Sequence, residues 1–444
     1  MPEVARPPGP ISWPIVGQLP AFRKDPLAFL EGLTAKYGNL VFVRFGNQNV
    51  YFLNDPKLIE QVLVTENQNF TKSRVLQRAR IFLGDGLLTA EGQNHLRQRR
   101  LVQPAFHRER LMGYATDMVA IGDRFRDGWQ HGAQVDIDKE MMRLTLAIVG
   151  KTLFSADVES EARDVGEAME TLLGMFKFVM LPFSNILEKL PLPVMKRFRK
   201  AQASLDNIIY GLIRQRRAEG RDHGDLLSML LDARDEEGDG SGMTDKQVRD
   251  EALTLFIAGH ETTANALAWT WYLLSLHPDV ESRMHQEIDQ ALDGRLPEFD
   301  DLPKLSYVEH VVAESMRLYP PAWVIGRQAR EPFTLRDYNV PAKSIVLMSP
   351  YVTQRSKEFW PDPLTFNPER WAAANDRPKF AYFPFGGGPR LCIGERFAWM
   401  ESVLMITAIA QKWRLRLVPG HIVEPKPLIT LRPKNGIKMR VEAR

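Results

Sequence analysis

The sequence predicts a mainly helical fold in which a few strands lie toward the two ends of the chain. Apolar residues recur at helical spacing through most of residues 56–231. A second helical pattern runs from Thr244 to Leu276, just before His277-Pro278. Strand patterns occur at residues 41–53, 333–348 and 428–441. This order of elements is typical of the mainly α class.

The elements follow from local signals. Residues 26–37 predict an amphipathic helix, and residues 41–45 and 50–53 predict two strands of a hairpin. The acidic, glycine-rich stretch 235–242 predicts a surface loop between two helices rather than a domain linker. Thr244 and Gln247 form a capping-box signal that opens a helix about 45–50 Å long. Strands are also expected at 333–340, 345–348, 428–431 and 437–441, the last two joined by a hairpin turn at Asn435-Gly436.

Composition excludes several classes of protein. Apolar residues make up 44% and charged residues 25% of the 444 residues, which is typical of a globular protein. A net charge of +3 argues against nucleic-acid binding. No run of about 18 apolar residues predicts a transmembrane anchor, and no export signal begins the chain. With one cysteine, these features predict a cytoplasmic protein.

That single cysteine, Cys392, lies in the segment F-G-G-G-P-R-L-C-I-G at residues 385–394. One thiol excludes an intrachain disulfide and a multi-thiolate metal site, and leaves an inert thiol, a nucleophile or a single axial ligand. The glycines predict an irregular loop, and Arg390 offers a cation to a nearby anion. A helix is expected from Glu395, so its N-terminus would favour a thiolate. No histidine is placed to pair with Cys392, which disfavours a cysteine hydrolase.

The long helix carries an unusual centre, A-G-H-E-T-T at residues 258–263. A mid-helix glycine costs roughly 1 kcal/mol, and buried polar groups cost more unless they are hydrogen-bonded. Ala258 and Thr262 lie one turn apart on one face, and the Thr262 hydroxyl can bond back to the preceding turn. The plain alternative is a kinked structural helix. His260 is expected to point away from this face.

Four segments together resemble one family. Residues 385–394 resemble the haem-binding loop of cytochrome P450 enzymes, and residues 258–263 resemble their oxygen-activating motif. Glu314 and Arg317 match E-x-x-R, and Arg370 lies in the matching P-E-R-W segment. The resemblance implies a triangular helical domain with a small β-rich lobe and a long central helix. It implies one haem domain over residues 1–444, with a β-rich part at 38–60, a helical core at 61–330 and the haem-binding loop at 385–394.

The resemblance also implies the roles of individual residues. Cys392 would be the axial ligand to the iron of haem b, as the cysteine thiolate is in this family. Thr262 and Glu261 would manage the protons that oxygen activation needs. Glu314, Arg317 and Arg370 would form a buried structural charge network. Haem contacts are expected from His95, Arg99, Ala258, Arg327, Phe385, Arg390 and Gly394. His95 stands where the family commonly has tryptophan, and the alternative for each arginine is a solvated surface residue.

Substrate contacts are expected to be mostly apolar. The resemblance assigns them to Leu88, Ala258, Thr262, Ala322 and Val324. No charged residue is among them, which favours a fatty acid, terpenoid, steroid or carotenoid. Residues Phe176–Phe183 are expected to form either a mobile roof over the site or ordinary core.

The function implied is a monooxygenase that inserts one atom of O₂ into a hydrophobic molecule by hydroxylation or epoxidation. Electrons would come from NAD(P)H through a reductase and a separate ferredoxin or flavodoxin-type partner, and the enzyme would be a monomer. A basic run predicts either a docking patch for that partner or a solvated helix face: Arg97, Arg99, Arg100, Arg108 and Arg110. Competing functions are peroxide-driven or isomerising haem chemistry, and a non-enzymatic haem-based gas sensor or lipid-binding protein.

Overall fold

The computed structural model describes residues 6–155, 192–372 and 376–444, together with Ala168, Thr171 and Gly174. The chain divides into two compact units. Unit 1 comprises Met1–Arg74, Ala313–Cys392 and Pro425–Arg432. Unit 2 comprises Val75–Val312, Ile393–Glu424 and Pro433–Arg444. The expected roof segment Phe176–Phe183 lies outside the described residues.

Helices account for most of the regular structure, as the sequence predicts. The α-helices are α1 Leu19–Lys24, α2 Pro26–Tyr37, α3 Pro56–Glu60, α4 Arg74–Arg78, α5 Arg80–Leu83, α6 Gly92–Val102, α7 Arg108–Asp127, α8 Ile137–Phe154, α9 Pro193–Glu219, α10 Leu226–Asp232, α11 Asp245–Leu276, α12 Pro278–Leu292, α13 Ser306–Leu318, α14 Pro350–Thr353 and α15 Glu395–Ala410. The strands are β1 Leu40–Phe45, β2 Gln48–Leu53, β3 Phe70–Lys72, β4 Gln134–Asp136, β5 Ile325–Ala329, β6 Phe333–Leu335, β7 Tyr338–Val340, β8 Ile345–Met348, β9 Trp413–Leu417, β10 Pro425–Pro427, β11 Leu431–Pro433 and β12 Lys438–Ala443.

Unit 1 is built around a five-stranded sheet of order β1-β2-β8-β5-β3. The predicted hairpin is confirmed, since Leu40 pairs with Leu53 in antiparallel register. Strand β2 runs parallel to β8, with Val50 opposite Ile345. Phe52 is fully buried in the apolar core beside this sheet, which explains why these strands read as nearly continuous apolar runs.

Three strand predictions are wrong in detail. Residues 333–340 form a hairpin of β6 and β7, not one strand, because the chain turns at Arg336 with a positive φ of 51°. Residues 428–430 form the turn between β10 and β11 rather than a strand. Strand β12 does not pair with β11. It lies between β4 and β9 in a three-stranded sheet of unit 2.

Helix α11 is the longest element of unit 2, with 32 residues. The Thr244 side chain accepts from the Gln247 backbone N–H, and the Gln247 side chain accepts from the Thr244 N–H, so the predicted capping box is confirmed. The helix is buried along most of its length and packs against α8. At about 1.5 Å per residue it spans about 48 Å. No helix among the described residues is long and apolar enough to cross a membrane.

Candidate active site

The cysteine loop of unit 1 is held by close backbone contacts. The Cys392 N–H donates to the carbonyl oxygen of Phe385 at 3.0 Å, which closes the loop on itself. Gly388 has a positive φ of 65°, and a Cβ there would overlap the carbonyl oxygen of Leu63. Glycine is therefore required at this position by both conformation and space. The loop holds the Cys392 side chain exposed, so its sulfur is accessible to a ligand.

Two of the predicted cations also lie in unit 1. Arg327 lies in β5 and is buried, with its Nη1 donating to the carbonyl of Gly326 at 3.2 Å. Arg390 is half-buried in the short turn Gly388–Arg390 of the cysteine loop. Neither is a solvated surface arginine, and both are of the type that binds carboxylates.

Helix α11 of unit 2 carries the predicted oxygen-activating segment. The residues that precede and follow it are buried, whereas Ala258 is exposed and Gly259 and Thr262 are half-buried. A flat ligand can therefore contact the helix backbone on this face. The Thr262 hydroxyl donates to the Ala258 carbonyl oxygen at 2.6 Å, as expected, so its lone pairs remain available to accept a proton from a second group.

The two residues that precede Thr262 are both buried. His260 is buried, and its Nε2 lies 2.9 Å from the Met142 carbonyl oxygen on α8, consistent with the expectation that it faces away. Thr145 of α8 donates its hydroxyl to the His260 carbonyl oxygen at 3.1 Å. Glu261 is buried, and its carbonyl accepts from Asn265 at 2.8 Å. Because Glu261 is buried, a proton can reach its carboxyl group from solvent only through the protein interior.

Helix α6 carries two more of the predicted haem contacts. His95 is buried and Arg99 is half-buried, one turn apart on the same face. The burial of His95 distinguishes it from the exposed Leu96 beside it. This face of α6 in unit 2 therefore has the composition that an anionic ligand group needs.

The predicted charge network of unit 1 is present and buried. The side chains of Glu314 and Arg317 have no exposed surface, and Arg317 donates to both carboxylate oxygens of Glu314 at 2.9 and 2.8 Å. Arg370 Nε and Trp371 Nε1 also donate to this carboxylate, each at 2.9 Å. Burial lowers the pKa of Arg317 and Glu314 opposes that shift. A guanidinium nonetheless remains protonated.

The expected substrate contacts are divided between the units. Leu88 is half-buried in unit 2, between the buried residues Leu87 and Thr89. Ala322 and Val324 are half-buried in unit 1, beside the buried Trp323. All of these positions are accessible in part, which a residue that contacts a ligand requires.

The basic run is largely neutralised by carboxylates. Arg100 pairs with Asp235 at 2.9 Å, and Arg110 pairs with Asp222 at 2.9 Å. Arg97 lies 3.5 Å from the same Asp235, and Arg108 lies 3.6 Å from Asp300. These contacts favour a local structural role over an open docking patch for these arginines.

Sequence reasoning missed two buried carboxyl groups of unit 2. Burial raises the pKa of Glu401 on α15 well above its usual range, with a contact to Thr263 opposing the shift. Burial raises the pKa of Glu251 on α11 to about 8, the Leu87 N–H lowers it, and the neighbouring Asp250 and Asp85 raise it further. A signal exists for Glu401, because it interrupts the apolar run of its helix. No signal in the sequence indicates that Glu251 accepts a hydrogen bond from the Leu87 N–H.

These features fit a haem, the group that the sequence resemblance implies. In unit 1, the accessible sulfur of the Cys392 loop suits an axial ligand, and Arg327 and Arg390 suit anionic side groups. In unit 2, the accessible stretch at Ala258 suits a flat ring, and His95 and Arg99 suit anionic side groups. The class of protein defined by this fold and these residues is a haem-thiolate enzyme.

Comparison with known proteins gives the family. The sequence pattern of cytochrome P450 matches residues 7–441. Cyclooctat-9-en-7-ol 5-monooxygenase from Streptomyces melanosporofaciens is 41% identical over 93% of this chain and 90% of its own. Cyclooctatin synthase from the same organism is 38% identical over 94% and 92%. Pentalenene oxygenase from Streptomyces avermitilis is 37% identical over 97% and 96%.

A solved structure agrees. The retinoic acid-bound cyanobacterial CYP120A1 superposes with a TM-score of 0.88 at 26% identity, over 100% of both chains. The chain belongs to the cytochrome P450 family. It is a monooxygenase that uses haem and O₂, so the fold class and the enzyme class predicted from the sequence are confirmed.

Proposed function

We propose that this enzyme oxidises a cyclic terpenoid. Two observations support this substrate class. Two of the relatives named above are, by their names, a monooxygenase of cyclooctat-9-en-7-ol and an oxygenase of pentalenene. The expected contacts Leu88, Ala258, Ala322 and Val324 are apolar, so they offer no charged partner to a fatty-acid carboxylate. A hydrocarbon skeleton gains free energy by burial there without leaving a polar group unpaired.

Haem, when bound, would supply the oxygen chemistry, and the Cys392 thiolate would hold its iron. The thiol is accessible and its loop is fixed by the Phe385 carbonyl, so the sulfur occupies one defined position. Arg327, Arg390, His95 and Arg99 would bind the propionates. Phe385 and Gly394 would contact the ring, as would Ala258 on the accessible face of α11.

Thr262 and Glu261 would deliver protons. The Thr262 hydroxyl donates to the Ala258 carbonyl, which leaves the lone pairs of Oγ1 to accept a hydrogen bond from a second group. When the hydroxyl releases that carbonyl, it can pass its proton on while Oγ1 takes the proton of the second group. Glu261, the preceding residue, is a buried carboxyl group that would relay protons toward Thr262. Exclusion of bulk water around this buried stretch would limit the wasteful release of peroxide.

Electrons are proposed to come from NAD(P)H through a reductase and a ferredoxin or flavodoxin-type partner. We also propose that residues 1–444 act as one haem domain and as a monomer in the cytoplasm. No feature of the described residues favours the peroxide-driven or isomerising alternative, and the intact Glu261-Thr262 pair argues against it.

The test is reconstitution with a bacterial ferredoxin and its reductase, and a panel of cyclic terpenes and fatty acids. We expect a substrate-induced spin shift and a hydroxylated or epoxidised product from at least one terpene, and no product from the fatty acids. Oxidation of the fatty acids alone would refute the proposed substrate class.

A pair of variants tests the role of Thr262. Thr262→Ala should consume NAD(P)H but release peroxide in place of product. Thr270→Ala is the matched control, because its hydroxyl makes the same bond to the preceding turn, to Ala266 at 2.7 Å, but is fully buried. Equal coupling of NAD(P)H to product in the two variants would contradict the role proposed for Thr262.

A further inference from the structure

The loop Gly84–Thr89 of unit 2 carries Leu88, the only proposed substrate contact in that segment. Leu88 is half-buried, whereas Gly86, Leu87 and Thr89 are buried. Leu88 is therefore the apolar side chain of this loop that remains accessible, and any shift of the loop backbone would move it.

The N–H groups of this loop donate to two adjacent carboxyl groups of α11. The Asp85 N–H donates to Oδ2 of Asp250 at 3.0 Å. The Leu87 N–H donates to Oε2 of Glu251 at 3.0 Å. Two N–H groups of the loop, on either side of Gly86, are thus anchored by two successive residues of one helix.

Three carbonyl groups of the loop accept hydrogen bonds from side chains of α5, of α6 and of the loop itself. Gln98 of α6 donates its side-chain N–H to the Asp85 carbonyl at 2.6 Å. Arg80 of α5 donates Nε and Nη2 to the Thr89 carbonyl at 3.1 and 2.8 Å. The Thr89 hydroxyl donates to the Gly84 carbonyl at 2.8 Å, which closes the loop. A buried backbone whose polar groups are satisfied on both sides has one strongly preferred position.

Two glycines bring the loop backbone directly against α11. Gly84 has a positive φ of 74°, and a Cβ there would overlap the carboxyl group of Asp250. A Cβ at Gly86 would overlap the Thr254 hydroxyl and lie 2.6 Å from the Asp250 carbonyl oxygen. Even a methyl group at either position would push the loop away from the helix.

We propose that Asp250 and Glu251 are positioning residues that fix the Gly84–Thr89 loop on α11 and so determine which carbon of the substrate is oxidised. The same helix carries Thr262, 11 residues and about 16 Å further along its axis. Because α11 holds the loop and also carries Thr262, we expect Leu88 to keep a fixed distance from the oxygen-activating segment. The proposal rests on the proposed function, since it takes Leu88 to contact a hydrophobic substrate.

Glu251 is the better of the two residues to test. Asp250 also pairs with Arg249 at 2.9 Å and with Lys246 at 2.8 Å, so its removal would disturb other charges. Glu251 has no exposed surface, and among the described residues its Oε1 has no hydrogen-bond partner. Since burial raises its pKa to about 8, the neutral carboxyl form predominates at pH 7 and still accepts the Leu87 N–H. Glutamine reproduces that form, whereas methionine removes the acceptor.

The experiment compares wild type, Glu251→Met and Glu251→Gln as haem-loaded enzymes, with Lys412→Met as the surface control, because the half-exposed Lys412 pairs with Asp127 and not with a residue of the loop or its anchor. Amide hydrogen exchange is measured over residues 84–90, and the dissociation constants and product ratios are measured with the terpenes that the wild type oxidises. We expect exchange to become roughly tenfold faster in Glu251→Met. Its product ratio should also change, with its yield of oxidised product per NAD(P)H nearly unaltered. Glu251→Gln and Lys412→Met should resemble wild type in all three measurements.

Two results would overturn the proposal. One is wild-type exchange and product ratio in Glu251→Met. The other is faster exchange with an unchanged product ratio, which would leave a loop anchor without a role in selectivity. If Glu251→Met does not retain haem, Gly86→Ala decides the question, because it displaces the loop without altering a buried carboxyl group. If the wild type oxidises no terpene, the proposed function fails, while the exchange rates still show whether Glu251 anchors the loop.

Discussion

Replacing Arg317 by methionine tests the buried charge network of unit 1. The change removes both hydrogen bonds to Glu314 and three more to the carbonyl oxygens of Gln354, Pro363 and Thr365 at 2.8, 2.6 and 3.1 Å. Breaking a buried ion pair from one side costs about 3–5 kcal/mol. Because Arg370 still pairs with Glu314, we expect a loss near the lower end, about 3 kcal/mol in the free energy of unfolding.

That loss converts to a measurable shift in melting temperature. The entropy of unfolding scales with length, and for 444 residues it is roughly 0.9 kcal/mol/K near the midpoint. We therefore expect Arg317→Met to melt about 3–4 °C lower than wild type by scanning calorimetry of the haem-loaded enzyme. Arg317→Lys keeps the charge but not the forked geometry, and should fall between the two.

Arg217→Met is the matched control. Arg217 also pairs with a carboxylate, Asp245 at 2.6 Å, but both side chains are about half exposed. An exposed pair contributes less than about 1 kcal/mol, so its melting temperature should stay within about 1 °C of wild type. Equal shifts for Arg317→Met and Arg217→Met would refute the conclusion that burial makes the Glu314–Arg317 pair important.

Two further predictions concern the cysteine loop and Glu401. Gly388→Ala should lower the haem content per protein, measured as the pyridine haemochrome, because the added methyl overlaps the Leu63 carbonyl; Gly386→Ala should retain more haem, since the nearest atom to its Cβ is 3.8 Å away. Because burial raises the folded-state pKa of Glu401, its contribution to stability is complete below about pH 4.5 and decreases as pH rises toward that folded-state pKa. The melting temperature of Glu401→Gln relative to wild type should therefore increase from pH 5 to pH 8, and a difference that does not change with pH would contradict a raised pKa.

The sequence predicted correctly those elements whose structure depends on residues close together in the chain. The first hairpin was predictable from its two apolar runs and short turn, and α11 from its capping box and from the proline that follows it. The hairpin at residues 333–340 was not, because its turn at Arg336-Asp337 contains neither glycine nor asparagine. The pairing of β12 with β4 joins residues about 300 positions apart, and no local pattern records it.

The candidate site shows the same division. The loop around Cys392 and the segment around Thr262 are continuous in sequence, so their residue types identify them. Residues separated by long stretches of chain needed the structure. The contact of Leu87 with Glu251, 164 positions apart, is an example. The neutralisation of Arg100 by Asp235 is another, and it changed the interpretation of the basic run.

The central claim is that Cys392 binds haem iron as a thiolate, and the carbon monoxide difference spectrum of the dithionite-reduced protein tests it most directly. We predict a strongly red-shifted Soret band in wild type, which Cys392→Ser should lose. A band at the position typical of a neutral thiol or histidine ligand, or no haem band in a folded, haem-supplied preparation, would contradict the account.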